Sequence, residues 1–193
     1  MGLLKHSLIV VVLPSVLFFG CATPTESKKQ EAMEKQSSWK SEVRDLLKVY
    51  GHRNWIVVAD AAYPQQSNPA IRTIAIDASH LQAVEFVSGL IEKAKHVDAN
   101  IYVDEELAFV PEKHARGIES YRNGLNKVLS GKSTQALMHE EIIRKLDESA
   151  KLFNILILKT DLSTPYTSVF FQLECGYWDS GAEKELREAI PGD

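Results

Sequence analysis

The sequence predicts a single α/β domain with a mixed, largely parallel central sheet flanked by helices. Short apolar runs of strand length alternate with stretches whose apolar residues recur at helical spacing. The chain's 193 residues, 25% of them charged, suit one soluble domain with its own core.

In chain order, Val43, Leu46, Leu47 and Tyr50 recur at helical spacing, and Gly51 supplies a stop. Ile56 to Ala59 is an apolar strand, and Ile71 to Ile76 alternates as a half-buried one. Leu81 to Ala94 is a helix with Leu81, Val84, Val87 and Ile91 on one face. Ile101 to Val103 makes a short strand, Ile118 to Val128 a helix, and Thr134 to Met138 a further strand. Glu140 to Leu152 is a helix, and Ile155 to Leu158 and Val169 to Leu173 are the last strands.

The first 38 residues read differently. Residues 1–20 have the layout of a signal peptide: Lys5, then an apolar run from Leu8 to Leu13, then a small residue at Gly20. Gly20-Cys21-Ala22 resembles a bacterial lipobox, which implies a diacylated Cys21 at the mature amino terminus. An uncleaved anchor and a plain signal peptide are the alternatives. Residues 21–38 are polar and read as a lipidated cysteine and flexible tether, leaving 39–193 as the folded domain. The implied location is the bacterial cell envelope, membrane-anchored on its periplasmic or extracellular face. With Cys21 lipidated, Cys175 has no disulfide partner and reads as a buried thiol.

Composition and motifs exclude several classes. The formal charge of −4, with no basic patch interleaved with aromatics, gives no sign of nucleic-acid binding. His139-Glu140-Glu141 lacks the second histidine of a zinc-protease helix, and there is no Cys-x-x-Cys. Ser130-Gly131-Lys132-Ser133 has Asn126 where a phosphate loop needs glycine. No Gly-x-Ser-x-Gly elbow occurs.

Ligand chemistry in open α/β sheets gathers in loops beyond the strand ends. Three loops carry suitable groups: Asp60 to Ser67, Met138-His139-Glu140, and Ser163 to Ser168. Gly51-His52 precedes the first strand, and Asp60-Ala61 follows it, eight residues after the histidine. A straight strand of ~6 residues spans roughly 20 Å, so His52 and Asp60 of one chain cannot share a small ligand. Either the backbone bends between them or two copies of the chain share a site.

Gly51-His52, then Ile56 to Ala61 with Pro64 behind, resemble the signature of the D-ribose pyranase and L-fucose mutarotase family. Ser120 to Leu125 resembles a helix of the fucose branch, and Thr164-Pro165-Tyr166-Thr167-Ser168-Val169 a carboxy-terminal motif of the Pro-Tyr-Ala-Asn-Ile type. The resemblance implies interconversion of anomers, or of pyranose and furanose forms, of a free monosaccharide without cofactor or metal. It implies His52 as proton donor, and Asp60, Tyr166, Thr167 and Ser168 as sugar-binding positions. It also implies a homo-oligomeric ring with sites at subunit boundaries. A further ligand is His139, at a helix start, or Arg144, inside that helix; the first is preferred. Ser168 departs from the family's asparagine, and Thr160-Asp161-Leu162 from its Gly-Glu.

Each of these residues has an ordinary structural reading. His52 reads equally as a helix C-cap, Asp60 as a turn cap and Tyr166 as a loop aromatic. His80 belongs to a helix start capped by Asp77 or Ser79, and His96 and His114 read as solvated. The expected function is a membrane-tethered sugar isomerase. Its alternatives are a non-catalytic monosaccharide-binding lipoprotein and an envelope assembly module.

Overall fold

The computed structural model describes residues 39–191. The proposed signal peptide, Cys21 and the tether lie outside them. The helical stretch 39–47 (α1) leads into β1 (Trp55–Ala59), β2 (Ile71–Ala75), α2 (His80–Lys93) and β3 (Val97–Asp104). A short 3-10 helix (Glu105–Phe109) follows, then α3 (Ile118–Val128), β4 (Thr134–Leu137), α4 (His139–Ser149), β5 (Ile155–Lys159), β6 (Val169–Cys175) and α5 (Ser180–Ala189).

The strands form one sheet in the order β2-β5-β1-β6-β3-β4. β1, β2 and β5 are mutually parallel, β3 is parallel to β4, and β6 runs against both β1 and β3. Only β6 therefore opposes the rest. Pairing on both sides and helices over both faces explain why Trp55-Ile56-Val57-Val58-Ala59 is buried throughout. Ile56 and Val58 face a core built with α1, α2 and α3, while Trp55, Val57 and Ala59 face Ile142 and Leu146 of α4. The result is a three-layer α/β/α sandwich.

α2 starts where the sequence places it. The Ser79 side chain accepts from the Gln82 N–H, and Gln82 reaches back to the Ser79 N–H in a capping box. Besides α5, which the sequence reading did not include, three features depart from expectation. β3 begins at Val97 rather than Ile101, because Asp98, Ala99 and Asn100 find partners on β6 at Glu174, Leu173 and Gln172. Cys175 is half-buried rather than fully so, since the sheet runs out there. His96 is not merely solvated: its Nε2 lies 2.9 Å from the Leu47 carbonyl at the end of α1. Among the described residues, no helix is long and apolar enough to cross a membrane.

Candidate active site

The topology brings the carboxyl ends of five strands and the start of β6 to one edge of the sheet. Asp60 leaves β1 there, Asp104 ends β3, His139 opens α4 after β4, and Thr167 and Ser168 lead into β6. Asp60 Oδ1 accepts the Ala62 N–H at 2.7 Å, which fixes the turn, and Oδ2 lies 3.5 Å from the Ser168 hydroxyl. Asp60, Tyr63, Gln66, His139, Pro165 and Tyr166 line a cavity of ≈ 350 Å³, within the size range of small-molecule sites.

Tyr166 sits at φ 58°, a left-handed conformation a tyrosine adopts only under constraint. Its ring meets His139 edge-on, with centroids 5.9 Å apart. Thr167 is buried: its hydroxyl donates to the Thr164 carbonyl at 2.9 Å, so its side chain braces the loop. Arg144 lies elsewhere, in a surface cleft with Glu141, Asp147 and Glu148, its Nε donating to the Glu140 carbonyl at 3.3 Å.

Behind His139 lies a group the sequence did not single out. The Asp104 side chain is 1% exposed, and its Oδ1 is 3.0 Å from His139 Nδ1. Its Oδ2 has no partner. Burial pushes the Asp104 carboxyl up from 3.8 to about 6, against the hydrogen bond and charge of His139; the charges of Glu106 and Asp60 add to the rise. Both Glu106 oxygens accept the His139 backbone N–H, at 3.1 and 3.0 Å, satisfying a free donor at the start of α4. The Tyr63 hydroxyl is likewise buried, and burial pushes its pKa up against a contact with the Gln66 side chain.

A second buried network supports the same edge. His80 Nε2 is 3.2 Å from the Val58 carbonyl, and a carbonyl only accepts, so Nε2 carries the proton. Burial pushes His80 down from 6.5 to about 4, so Nδ1 is an unprotonated acceptor at neutral pH. The Tyr121 hydroxyl stands 3.1 Å from that Nδ1 and 2.9 Å from the Thr167 carbonyl. It has one proton for two acceptors. This network ties α2 and α3 to the loop that carries Tyr166.

His52 is at the other edge of the sheet. β1 runs unbroken from Trp55 to Ala59, paired with β5 and β6, and does not bend. His52 Nε2 lies 2.9 Å from Glu174 Oε2, in a cleft that includes Asn100, Tyr177 and Trp178. Within one chain His52 and Asp60 are therefore separated by the length of a strand, ~17 Å. The structure brings together Asp60, His139, Tyr166 and Ser168, and leaves His52 apart.

Residues 33–175 match the model of the RbsD / FucU transport protein family. The chain belongs to that family. Bacillus subtilis RbsD, solved with D-ribose, shares 23% identity over 68% of this chain and 90% of its own, with a TM-score of 0.45. The fucose mutarotase of Streptococcus pneumoniae, solved with L-fucose, shares 22% over 66% and 89%, also at 0.45. FucU from Bifidobacterium longum shares 19% over 66% and 91%, at 0.43. No curated protein matches the sequence.

The RbsD/FucU match ends at Cys175, so Gly176 onward, including α5, lies beyond it. Asp104 escaped sequence reading because Asp104-Glu105-Glu106 looks like a solvated acidic run. Its place at the end of a strand, on the same edge as Asp60, was the available signal. Among the described residues no group of three or more His, Cys, Asp or Glu is arranged to hold a metal.

Proposed function

We propose that this member of the RbsD/FucU family binds a free monosaccharide and interconverts its anomers or ring forms by acid–base ring opening. The observation that carries the reading is the ≈ 350 Å³ cavity where Asp60, His139 and Tyr166 converge. Carboxylate, imidazole and phenol supply acceptors and donors for sugar hydroxyls, and the aromatic and proline surfaces exclude water.

Ring opening breaks the bond between the anomeric carbon and the ring oxygen. The ring oxygen keeps the electron pair and takes a proton, while the anomeric hydroxyl gives one to a solvent water as the carbonyl forms, and reclosure returns both. Reclosure on either face exchanges the anomers. His52 gives and takes the proton at the ring oxygen, and Asp60 orients the hydroxyls. With β1 unbent, this reading takes His52 from a neighbouring copy and makes the working form a homo-oligomer with sites between chains. Acylated Cys21 anchors that assembly to the cell envelope, where two acyl chains hold far better than one. Mass spectrometry of the membrane fraction should show an acylated Cys21 terminus; an intact Met1 would refute cleavage.

A binding-only reading draws on Ser168, whose hydroxyl reaches Asp60 at 3.5 Å in place of a family amide. Exchange NMR with ribose, fucose, galactose and glucose separates the two. Anomer or ring-form exchange above the buffer rate supports the isomerase. Saturation-transfer signals without faster exchange leave a sugar-binding protein, and silence from every sugar refutes both.

A further inference from the structure

We propose that Glu174 is a positioning residue: it holds the proton of His52 on Nε2 and leaves Nδ1 as the atom that meets the sugar. The inference rests on the reading of His52 as the proton-transfer group and adds how this chain prepares it.

The turn that carries His52 is bolted to the strand that carries Glu174. The Arg53 N–H donates to the Leu173 carbonyl at 2.8 Å, and the Leu173 N–H returns a bond to the Asn54 carbonyl at 2.8 Å. Asn54 Nδ2 donates to the Gly51 carbonyl at 3.0 Å across the turn. Arg53 sits at φ 75°, and this reversal lays the imidazole over β6. Glu174 is itself held: its Oε1 accepts Asn100 Nδ2 at 3.2 Å from β3, and its Oε2 lies 2.9 Å from His52 Nε2.

The neighbouring carboxylates are engaged elsewhere. Asp98 accepts the Ala99 N–H at 2.8 Å, Asp179 caps α5 through the Ala182 N–H, and Glu183 takes Trp178 Nε1 at 2.8 Å. An ionised carboxylate only accepts, so Nε2 carries the hydrogen and Nδ1 is the free nitrogen. In the imidazolium, Nδ1–H donates to the ring oxygen as its bond to the anomeric carbon breaks. When the ring closes, the same nitrogen takes the proton back. A fixed second nitrogen also keeps the ring from turning away, which makes Glu174 an orienting partner of the kind acid–base histidines use.

Alanine and glutamine at position 174 test the inference, beside His52→Ala. The pair is partly exposed and holds little folding energy, so all three proteins should fold. Glu174→Ala should lower the exchange rate about tenfold or more, part of the 10²–10⁴ that acid–base catalysis contributes, with KM unchanged. Glu174→Gln keeps an acceptor and should recover part of that loss. Imidazole nitrogen NMR should show a hydrogen-bonded Nε2–H on His52 that disappears in Glu174→Ala. A dead His52→Ala beside a fully active Glu174→Ala would overturn the inference and leave the reading of His52 standing. An active His52→Ala would overturn both. An Nε2–H signal unchanged in Glu174→Ala would show that the carboxylate does not hold the ring.

Discussion

Each end of the sheet carries a histidine against a carboxylate, at 3.0 Å for His139 and Asp104 and 2.9 Å for His52 and Glu174. The geometry is nearly the same and the surroundings are opposite. The side chains of His139 and Asp104 are 30% and 1% exposed, those of His52 and Glu174 51% and 34%. In the first pair burial dominates and lifts the carboxyl to about 6. In the second, water screens the charges, and the pair is worth at most about 1 kcal/mol of folding energy. The buried pair backs the cavity beside Asp60 and Tyr166; on the proposed reading, the exposed pair offers a reactive group to another chain.

The sharpest way to break this division is to disable the two ends separately. His52→Ala should reduce sugar exchange by roughly 10²- to 10⁴-fold while leaving the denaturation midpoint near that of the parent. Asp60→Asn should lower activity through binding. If sites are shared between copies, assembling the two variants together restores about a quarter of the sites, those pairing an intact His52 with an intact Asp60. Exchange NMR on separately purified and co-assembled proteins measures this. No recovery on co-assembly would place both residues' work within one chain.

The buried end should dominate the pH dependence of stability, with two opposing contributions. His80 goes from 6.5 unfolded to about 4 folded. The unfolded chain therefore binds a proton that the native state refuses, and stability falls as pH drops from 6.5 towards 4. Asp104 goes from 3.8 to about 6, so the native state holds a proton the unfolded chain releases. Stability falls as pH rises from 3.8 to 6. Each shift of about two units corresponds to on the order of 3 kcal/mol, and between pH 4 and 6 the two largely cancel. Asp104→Asn should uncover the His80 slope and raise stability above pH 6 by up to about that amount. Urea midpoints from pH 4 to 8 would show it; a variant as flat as the parent would remove Asp104 from the balance.

Asp60→Asn should weaken sugar binding by about 1.5–3 kcal/mol, roughly 10- to 150-fold in Kd, because it removes the charged acceptor. Asparagine Oδ1 can still take the Ala62 N–H, so the turn survives. Titration by saturation transfer measures the loss. An unchanged affinity would reduce Asp60 to a turn cap.

The sequence made the sheet legible because β1 is apolar along its whole length and β5 from Ile155 to Leu158, and α2 and α4 keep one apolar stripe each. α5 escaped because periodicity reports burial, and no residue of Ser180–Ala189 is buried. The site was half legible. Asp60, His139 and Tyr166 stood out as polar or aromatic groups in loops after strands. Asp104, His80 and Tyr121 did not, because their importance comes from long-range partners: Asp104 with His139, and Tyr121 with His80 and Thr167. The strand length between His52 and Asp60 was readable from the outset, and it separated the two ends correctly.

The smallest expected effect compares the two ends once more. Among the described residues, Arg53 and Tyr166 are the non-glycine positions with positive φ, at 75° and 58°, one at each end of the sheet. A left-handed conformation costs an ordinary residue on the order of 1 kcal/mol that glycine does not incur. Arg53→Gly should gain up to about that amount, less the contact of its guanidinium with the Phe153 ring at 5.6 Å. Tyr166→Gly should gain similarly in stability yet lose the ring against His139, and with it sugar affinity. Thermal midpoints and sugar titrations on both variants separate strain from function. If the Tyr166 strain serves binding, Tyr166→Gly raises stability and weakens binding together, whereas Arg53→Gly lowers turnover only by freeing His52. Equal sugar affinity in parent and Tyr166→Gly would make the constrained tyrosine a feature of the loop and not of the site.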